Sequence, residues 1–421
     1  MKIETLCVQE GYTPKNGEPR VLPICQSTTF KYDSSDYMGK LFDLEESGFF
    51  YTRLANPTSN AVEKKIAALE GGVGAMLTSS GQAATMAAVM NIANAGDNIV
   101  CSAACYGGTF NLLAVTLERY GISTTFVNPD DDLDELKKAV KPNTKAVLAE
   151  TISNPACVVL DFEKFASLAH SNGIPLIVDN TFATPVLCRP FEFGADIVIH
   201  STSKYLDGHA CALGGVIVDS GNFDWTASGK FPGLTTPDES YHGIVYTDYF
   251  GKSAYISKAM VQLMRDMGMT PAPMNAFLLN LGMETLHLRM PCHSSNALKA
   301  AQFLEADSRV SWVNYPGLKS NKYYPLVEKY LPNGCSGVIS FGVKGGRENA
   351  VKFLDSLKLA AIVTHVADAR TCALHPASST HRQLTDEQLA ECGVRPDLVR
   401  LSVGIENIED IIADLDTALG K

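Results

Sequence analysis

Apolar positions along the chain fall into two alternating periods. Val62, Ile66 and Leu69 recur at helical spacing; Thr58 can cap that helix and Gly71-Gly72 can stop it. Runs of strand length follow at Asn98–Ser102, Lys145–Ala149, Leu176–Val178, Ile197–Ile199 and Val216–Val218. Helical stripes lie among them. Leu133, Leu136 and Val140 form one, ended by Pro142, and Phe162, Phe165 and Leu168 form another, closed at Gly173. Strands separated by helices predict an α/β fold with a mostly parallel central sheet, right-handed crossovers and helices on both faces. Ligands of such sheets lie at the carboxyl ends of the strands.

The pattern also divides the chain. Residues 1–57 show no period and carry Pro14, Pro19, Pro23 and Pro57, as expected of an arm that wraps or reaches a neighbour. Residues 58–280 hold the alternating segments. Within them, 221–250 is rich in Gly, Pro and aromatics and reads as an inserted loop. One long helix is expected from near Pro273 to Arg289, leading into a smaller C-terminal α/β domain over 281–421. That domain contains "SGVISFGVKGG", "DLVRLSVGIEN" and a final helix "NIEDIIADLDTAL".

Composition narrows the function classes. The 421 residues are 46% hydrophobic and 19% charged, which is globular. A net charge of −11 argues against nucleic acid and anionic membrane surfaces as partners. The first residues lack an apolar signal core and no segment approaches membrane-spanning length. Eleven cysteines are scattered without a framework, so reduced thiols in a cytoplasm are expected. Cys101 and Cys105 have no second ligand pair nearby, and no metal site is expected.

The candidate chemistry sits where apolar runs end. "AMLTSSGQAATM" passes from an apolar stretch into Ser79-Ser80-Gly81-Gln82 and then a small-residue helix, whose free N–H groups suit a phosphate; taken alone, Ser80 is as well read as an ordinary cap. "IPLIVDNT" ends in Asp179, either a helix cap or a carboxylate facing the crevice. "DIVIHSTSKYLDGH" runs into Ser201, Thr202 and Ser203 around Lys204, either a solvated loop lysine or a desolvated nucleophile. No G-x-x-x-x-G-K-[ST] occurs, and no G-x-G-x-x-G follows a strand. A single ligand satisfying all three ends carries a phosphate, a cationic ring nitrogen and an aldehyde. Pyridoxal 5'-phosphate is such a ligand. Lys204 would hold it as a Schiff base, Ser201 and Ser203 would bond its phosphate, and Asp179 would keep its ring protonated.

The ordered motifs "YTRLANPT", "SSGQAA", "YGGT", "VDNT", "HSTSKYLDGH", "HPASSTH" and "VRLSVGIE" span nearly the whole chain. With them the chain resembles the pyridoxal-phosphate enzymes of cysteine and methionine metabolism, the trans-sulfuration family. The resemblance implies the fold type I architecture of those enzymes. Within the family the likeness is to the O-acetylhomoserine sulfhydrylase branch, through Gln82, through Gly108 where methionine γ-lyases carry cysteine, and through "SYHG" at Ser240–Gly243.

The resemblance implies further roles. Tyr51 and Arg53 would reach the cofactor phosphate of a neighbouring subunit in a homo-oligomer, a tetramer built as a dimer of dimers. Ser80, Gly81 and Gln82 would bind cofactor, Tyr106 would stack on its ring and assist proton transfer, and Asn154 would bond the ring hydroxyl. Arg400 would pair with the carboxylate of an amino-acid substrate. The implied reaction is γ-replacement on O-acetylhomoserine by sulfide or a small thiol, giving homocysteine or methionine. Methionine γ-lyase and cystathionine γ-synthase activities are the neighbouring alternatives. A Ser-His-Asp hydrolase is disfavoured because no G-x-S-x-G elbow occurs, and a non-catalytic sulfur-carrier binding protein is the remaining rival. Ala210-Cys211-Ala212 and the neighbourhood of His365 depart from the family pattern.

Overall fold

The computed structural model describes residues 1–379 and 395–420. Among them, one seven-stranded sheet holds β1 (Gly74–Thr78), β2 (Asn98–Ser102), β3 (Ser123–Val127), β4 (Thr144–Glu150), β5 (Leu176–Asp179), β6 (Ile197–His200) and β7 (Gly215–Asp219), in the order β1-β7-β6-β5-β4-β2-β3. The run from β6 to β3 is parallel, while β7 is antiparallel to both its neighbours. The expectation of parallel pairing fails at this strand. Residues 201–214 form turns with no crossover helix, so the chain leaving β6 comes straight back beside it. β1 pairs on the far side of β7 and so points the same way as β4, β5 and β6, which gathers their carboxyl ends on one edge.

The apolar runs sit where their composition dictates. β2 and β7 are buried at every position, and Leu176–Val178 of β5 are fully enclosed, as expected of sheet strands covered on both faces. β3, "STTFV", is an edge strand buried only at Val127, and its threonines gave no apolar run to find. A second sheet holds β8 (Val310–Asn314), β9 (Val338–Val343), β10 (Ala361–Ile362), β11 (Cys372–Leu374) and β12 (Leu398–Ser402), in the order β10-β11-β12-β9-β8. It is antiparallel except for β10 with β11.

Several helical expectations are corrected. Residues 1–57 contain two helices, α1 (Ile3–Gln9) and α2 (Ser35–Phe42). α1 buries Leu6 and Cys7, and the Cys7 carbonyl accepts from Lys65 at 3.0 Å. Helix α3 (Pro57–Glu70) is capped by Asn56, whose side chain accepts from the Thr58 amide, with Pro57 in the first turn. Thr58 does not cap; its hydroxyl donates to Pro23 O at 2.8 Å and accepts from Cys25 N at 2.9 Å, pinning the arm instead. The expected helix to Arg289 is two helices, Pro273–Glu284 and Leu286–Ala306. The Gly282 carbonyl at the break accepts from the Arg289 guanidinium at 2.8 Å. Leu133–Lys137 stops short of Val140. Residues 221–250 are not a loose loop, because Trp225, Phe231 and Tyr246 are buried and Trp225 stacks on Tyr255 at 5.2 Å. Among the described residues, no helix is long and apolar enough to cross a membrane.

Candidate active site

The strand ends meet in a cavity of about 450 Å³, a size that suits a small organic ligand. Ten of the twelve sequence-selected residues line it: Ser80, Gly81, Gln82, Tyr106, Asn154, Asp179, Ser201, Ser203, Lys204 and Arg400. Tyr51 and Arg53 do not. Arg53 donates to the Arg265 carbonyl, and its own carbonyl accepts from Thr270 at 2.6 Å; its guanidinium carbon lies 5.3 Å from the Tyr51 ring centre. Ser240–Gly243 also lie outside the cavity lining, with His242 3.3 Å from Asp43 of the N-terminal segment. Of "HPASSTH", Thr380 and His381 lie outside the described residues.

After β1, Ser80 caps helix α4 (Gly81–Met90), accepting from Ala83 N at 3.1 Å. Ser80 thus caps the helix and also lines the cavity. The helix start is pressed against the turn after β6, so that a Cβ on Gly81 would lie 2.6 Å from Ser201 Cβ. Glycine lets the free amides of the first turn face the cavity, where an anion is favoured. The Ser201 amide donates to Thr181 Oγ1 at 2.9 Å. The buried Ser203 hydroxyl donates to the Gly214 carbonyl and accepts from the Gly214 amide, which ties the lysine-bearing turn to the foot of β7. Gln82 Oε1 is buried in the wall with no hydrogen-bond partner, so it is able to accept from a ligand N–H or O–H.

Asp179 ends β5, and its Oδ1 accepts from the Thr181 amide at 2.9 Å. Directly across the register stands Glu150 at the end of β4. Its carboxylate accepts from Tyr106 N at 2.6 Å and Asn154 N at 3.2 Å, so it fixes the backbones of two other cavity residues. Burial raises both carboxyls above the usual range, and for Glu150 the nearby Asp179 adds to the shift. Two neighbouring carboxyls in a dry crevice favour a cationic ligand atom. The sequence reading missed Glu150, although the rule that selected Asp179, a carboxylate ending an apolar strand, applies equally to it. It missed Thr85, Thr109, Thr181, Phe182 and Thr364 as lining residues too.

Tyr106 is half exposed in the cavity rather than part of the core. Gly108 does not leave empty space beside it. A Cβ there would lie 2.4 Å from Tyr106 Cε1 and 2.5 Å from Gln82 Nε2. The glycine makes room for those two side chains, not for an incoming molecule. Arg400, buried in β12, donates to Asn154 Oδ1 at 3.4 Å and to the carbonyls of Thr364 and His365 at 3.2 and 3.1 Å. The Lys204 amine is pushed down to about 8, first by burial and then by Arg400, which leaves an appreciable fraction as free amine near neutral pH. Its Nζ lies 3.2 Å from His365 Nδ1.

Residues 4–420 match the Cys/Met metabolism PLP-dependent enzyme family. The chain belongs to that family. It is 45% identical to the O-acetyl-L-homoserine sulfhydrylase of Leptospira meyeri, over 99% of this chain and 96% of that one. It is 48% identical to the homocysteine synthase of Schizosaccharomyces pombe, over 99% and 98%. Among solved structures it superposes with a TM-score of 0.96 and 38% identity, over 100% of both chains, on a protein of Campylobacter jejuni. That protein is provisionally assigned as an O-acetylhomoserine (thiol)-lyase and carries N'-pyridoxyl-lysine-5'-monophosphate. Pyridoxal phosphate is the cofactor of this family member, and the cavity suits it. It offers a partly deprotonated lysine, a buried carboxyl pair, an unpartnered Gln82 oxygen and a helix start with free amides.

Proposed function

We propose that this enzyme carries out γ-replacement on O-acetylhomoserine, with sulfide or a small thiol as the incoming nucleophile and homocysteine or methionine plus acetate as products. The observation that carries the reading is the meeting of Lys204, Asp179 and Arg400 in one cavity. The sulfhydrylase and homocysteine synthase names of near-full-length relatives support the substrate class.

Bound here, pyridoxal phosphate supplies an electron sink for charge developing at the substrate α-carbon. Lys204 would hold it covalently through Nζ, with Asp179 at the ring nitrogen and Asn154 at the ring hydroxyl. The phosphate would lie against Ser80, Gly81, the Gln82 backbone amide, Ser201 and Ser203, the Ser203 hydroxyl turning its proton from the Gly214 carbonyl to the phosphate. Tyr106 would cover the ring. Arg400 would take the substrate carboxylate; its planar fork suits a two-point grip. Freed from the cofactor, the Lys204 amine would remove the α-proton and later move a proton at the β-carbon, which lets acetate leave from the γ-carbon and sulfur add there.

Tyr51 and Arg53 would act in a neighbouring subunit's site, which accounts for their position outside the cavity of their own chain. The working division is an arm over 1–57, a cofactor domain over 58–280 and a C-terminal domain over 281–421. We read the protein as a cytoplasmic homo-oligomer.

Product analysis with O-acetylhomoserine, with and without sulfide, tests the reading. Homocysteine should exceed 2-oxobutanoate when sulfide is present. Rapid breakdown of methionine, with little homocysteine from the acetylated substrate, would install a γ-lyase instead. Borohydride should fix the cofactor on Lys204, and Lys204→Ala protein should give no fixed adduct.

A further inference from the structure

His365 reaches the cavity from the second sheet's side, in the segment between β10 and β11. Its Nδ1 is the side-chain partner of Lys204 Nζ, at 3.2 Å. With the ammonium form of Lys204 as donor, Nδ1 offers its lone pair and the imidazole proton sits on Nε2. That Nε2 is buried and has no hydrogen-bond partner. The nearest carboxylate oxygen, Asp368 Oδ2, stands 3.8 Å away. A closure of roughly 1 Å would make it a hydrogen bond, and such catalytic contacts commonly tighten when a ligand binds.

The backbone holds the ring on station. The His365 carbonyl accepts from Arg400 at 3.1 Å and from the Cys372 thiol at 3.5 Å, and the Ala367 amide donates to Ser402 Oγ at 2.8 Å. The backbone that carries the imidazole is therefore bonded to the residue read as the substrate-carboxylate ligand.

We propose that His365 is a positioning residue for Lys204, forming with Asp368 a carboxylate–imidazole–amine relay that takes up the proton Lys204 acquires from substrate. The idea rests on the reading of Lys204 as the base. The step is a proton transfer alone. An N–H bond of the Lys204 ammonium breaks, an N–H bond forms at His365 Nδ1, and no carbon bond or oxidation state changes. The transfer runs from an amine near 8 to a ring held below its ordinary value, so it depends on Asp368 closing on Nε2 to stabilise the imidazolium; the charge then passes from Nζ to the imidazole and Lys204 returns to the free amine.

The groups facing the imidazole are Lys204 and Asp207 from the turn after β6, Arg400 from β12 and Asp368 from its own segment, while the Cys372 thiol of β11 lies on the His365 carbonyl. Burial, then the Lys204 and Arg400 charges, hold the imidazole below its ordinary value, against Asp368 and Asp207. It is thus neutral, and able to accept, near neutral pH. As pH falls through its titration the relay loses its acceptor.

The test uses holoenzyme and exchange of the α-proton of L-homoserine with deuterated solvent, followed by NMR across pH. This exchange needs cofactor and base but no acetyl leaving group. His365→Gln should load pyridoxal phosphate as the native protein does, yet exchange on the order of a hundredfold more slowly and lose the acid limb of the native profile. Asp368→Asn should move that limb to lower pH, because the carboxylate that favours the imidazolium is gone. Added imidazole should restore part of the rate to His365→Gly. A His365→Gln profile that superimposes on the native one, or a His365→Gly enzyme indifferent to imidazole, would overturn the relay. If the native enzyme shows the exchange and its histidine dependence but makes no homocysteine from O-acetylhomoserine and sulfide, the proposed function fails and the relay stands. If the native enzyme exchanges no α-proton, both fail.

Discussion

Glu150 and Asp179 are register partners at the ends of adjacent parallel strands, two buried carboxyls sharing the floor of one cavity. Both are raised above the ordinary carboxyl range, so their contribution to stability is present in acid and lost as pH rises through the raised values. Cofactor-free protein should therefore lose stability more steeply with rising pH than Glu150→Gln protein, compared by thermal unfolding from about pH 5 to about pH 8. Adding pyridoxal phosphate should flatten the native slope, because the ring cation favours an ionised partner. Parallel slopes for the native and substituted proteins would refute the pairing.

Asp179→Asn removes the ionised partner of the ring nitrogen. Breaking a buried charge pair costs about 3–5 kcal/mol, which corresponds to a loss on the order of hundredfold or more in kcat/KM. Steady-state kinetics with O-acetylhomoserine and sulfide measures it, and a change below about tenfold would count against Asp179 as the ring partner.

The arm hypothesis predicts complementation. Arg53→Ala subunits and Lys204→Ala subunits, each inactive alone, should recover part of the activity when mixed and allowed to exchange. In a hybrid dimer one site then carries both defects and the other carries neither. Hybrids proven by mass but lacking activity would place Arg53 outside the partner's site.

Gly108→Cys should displace Tyr106 and Gln82, since even a Cβ would lie 2.4 and 2.5 Å from them. The expected result is lower kcat/KM with O-acetylhomoserine and a larger share of 2-oxobutanoate. A displacement costing about 1.4 kcal/mol is a tenfold effect. Unchanged product partition would show that Gly108 is packing alone.

Asn56 caps α3 and also donates to Cys25 O at 2.9 Å and Thr52 Oγ1 at 3.0 Å. Asn56→Ala should destabilise by about 1–2 kcal/mol and loosen the arm. Denaturant unfolding measures the first effect, and protease sensitivity of residues 1–57 the second.

What the sequence made legible were features written as runs and ends. The fully buried strands announce themselves by apolar composition, and Ser80, Asp179 and Lys204 stand where those runs stop. What it hid depends on pairing across distance. β3 is half exposed and rich in threonine, so it carries no apolar run. The reversal of β7 has no local signature, because Gly215–Asp219 reads the same in either direction. Thr58 is an acceptable cap by type, but its hydroxyl is taken by Pro23 and Cys25, residues far away along the chain. Glu150 ends its apolar strand as Asp179 does and was open to the same rule; only its pairing with Tyr106 and Asp179, from other strand ends, had no local sign.

The return of β7 beside β6 has a mechanical meaning. Residues 201–214 form a span fastened at both feet to neighbouring strands, with His200 opposite Val216 and the Ser203 hydroxyl clasping Gly214. Lys204 is mounted on that bridge, whereas His365 hangs from the other sheet. Any rocking between the two sheets would alter the amine–imidazole spacing and leave the lysine's alignment with Asp179 and the α4 amides unchanged. Lys204 is thus fixed to the cofactor side of the molecule, and its distance from His365 is set by how the two sheets pack.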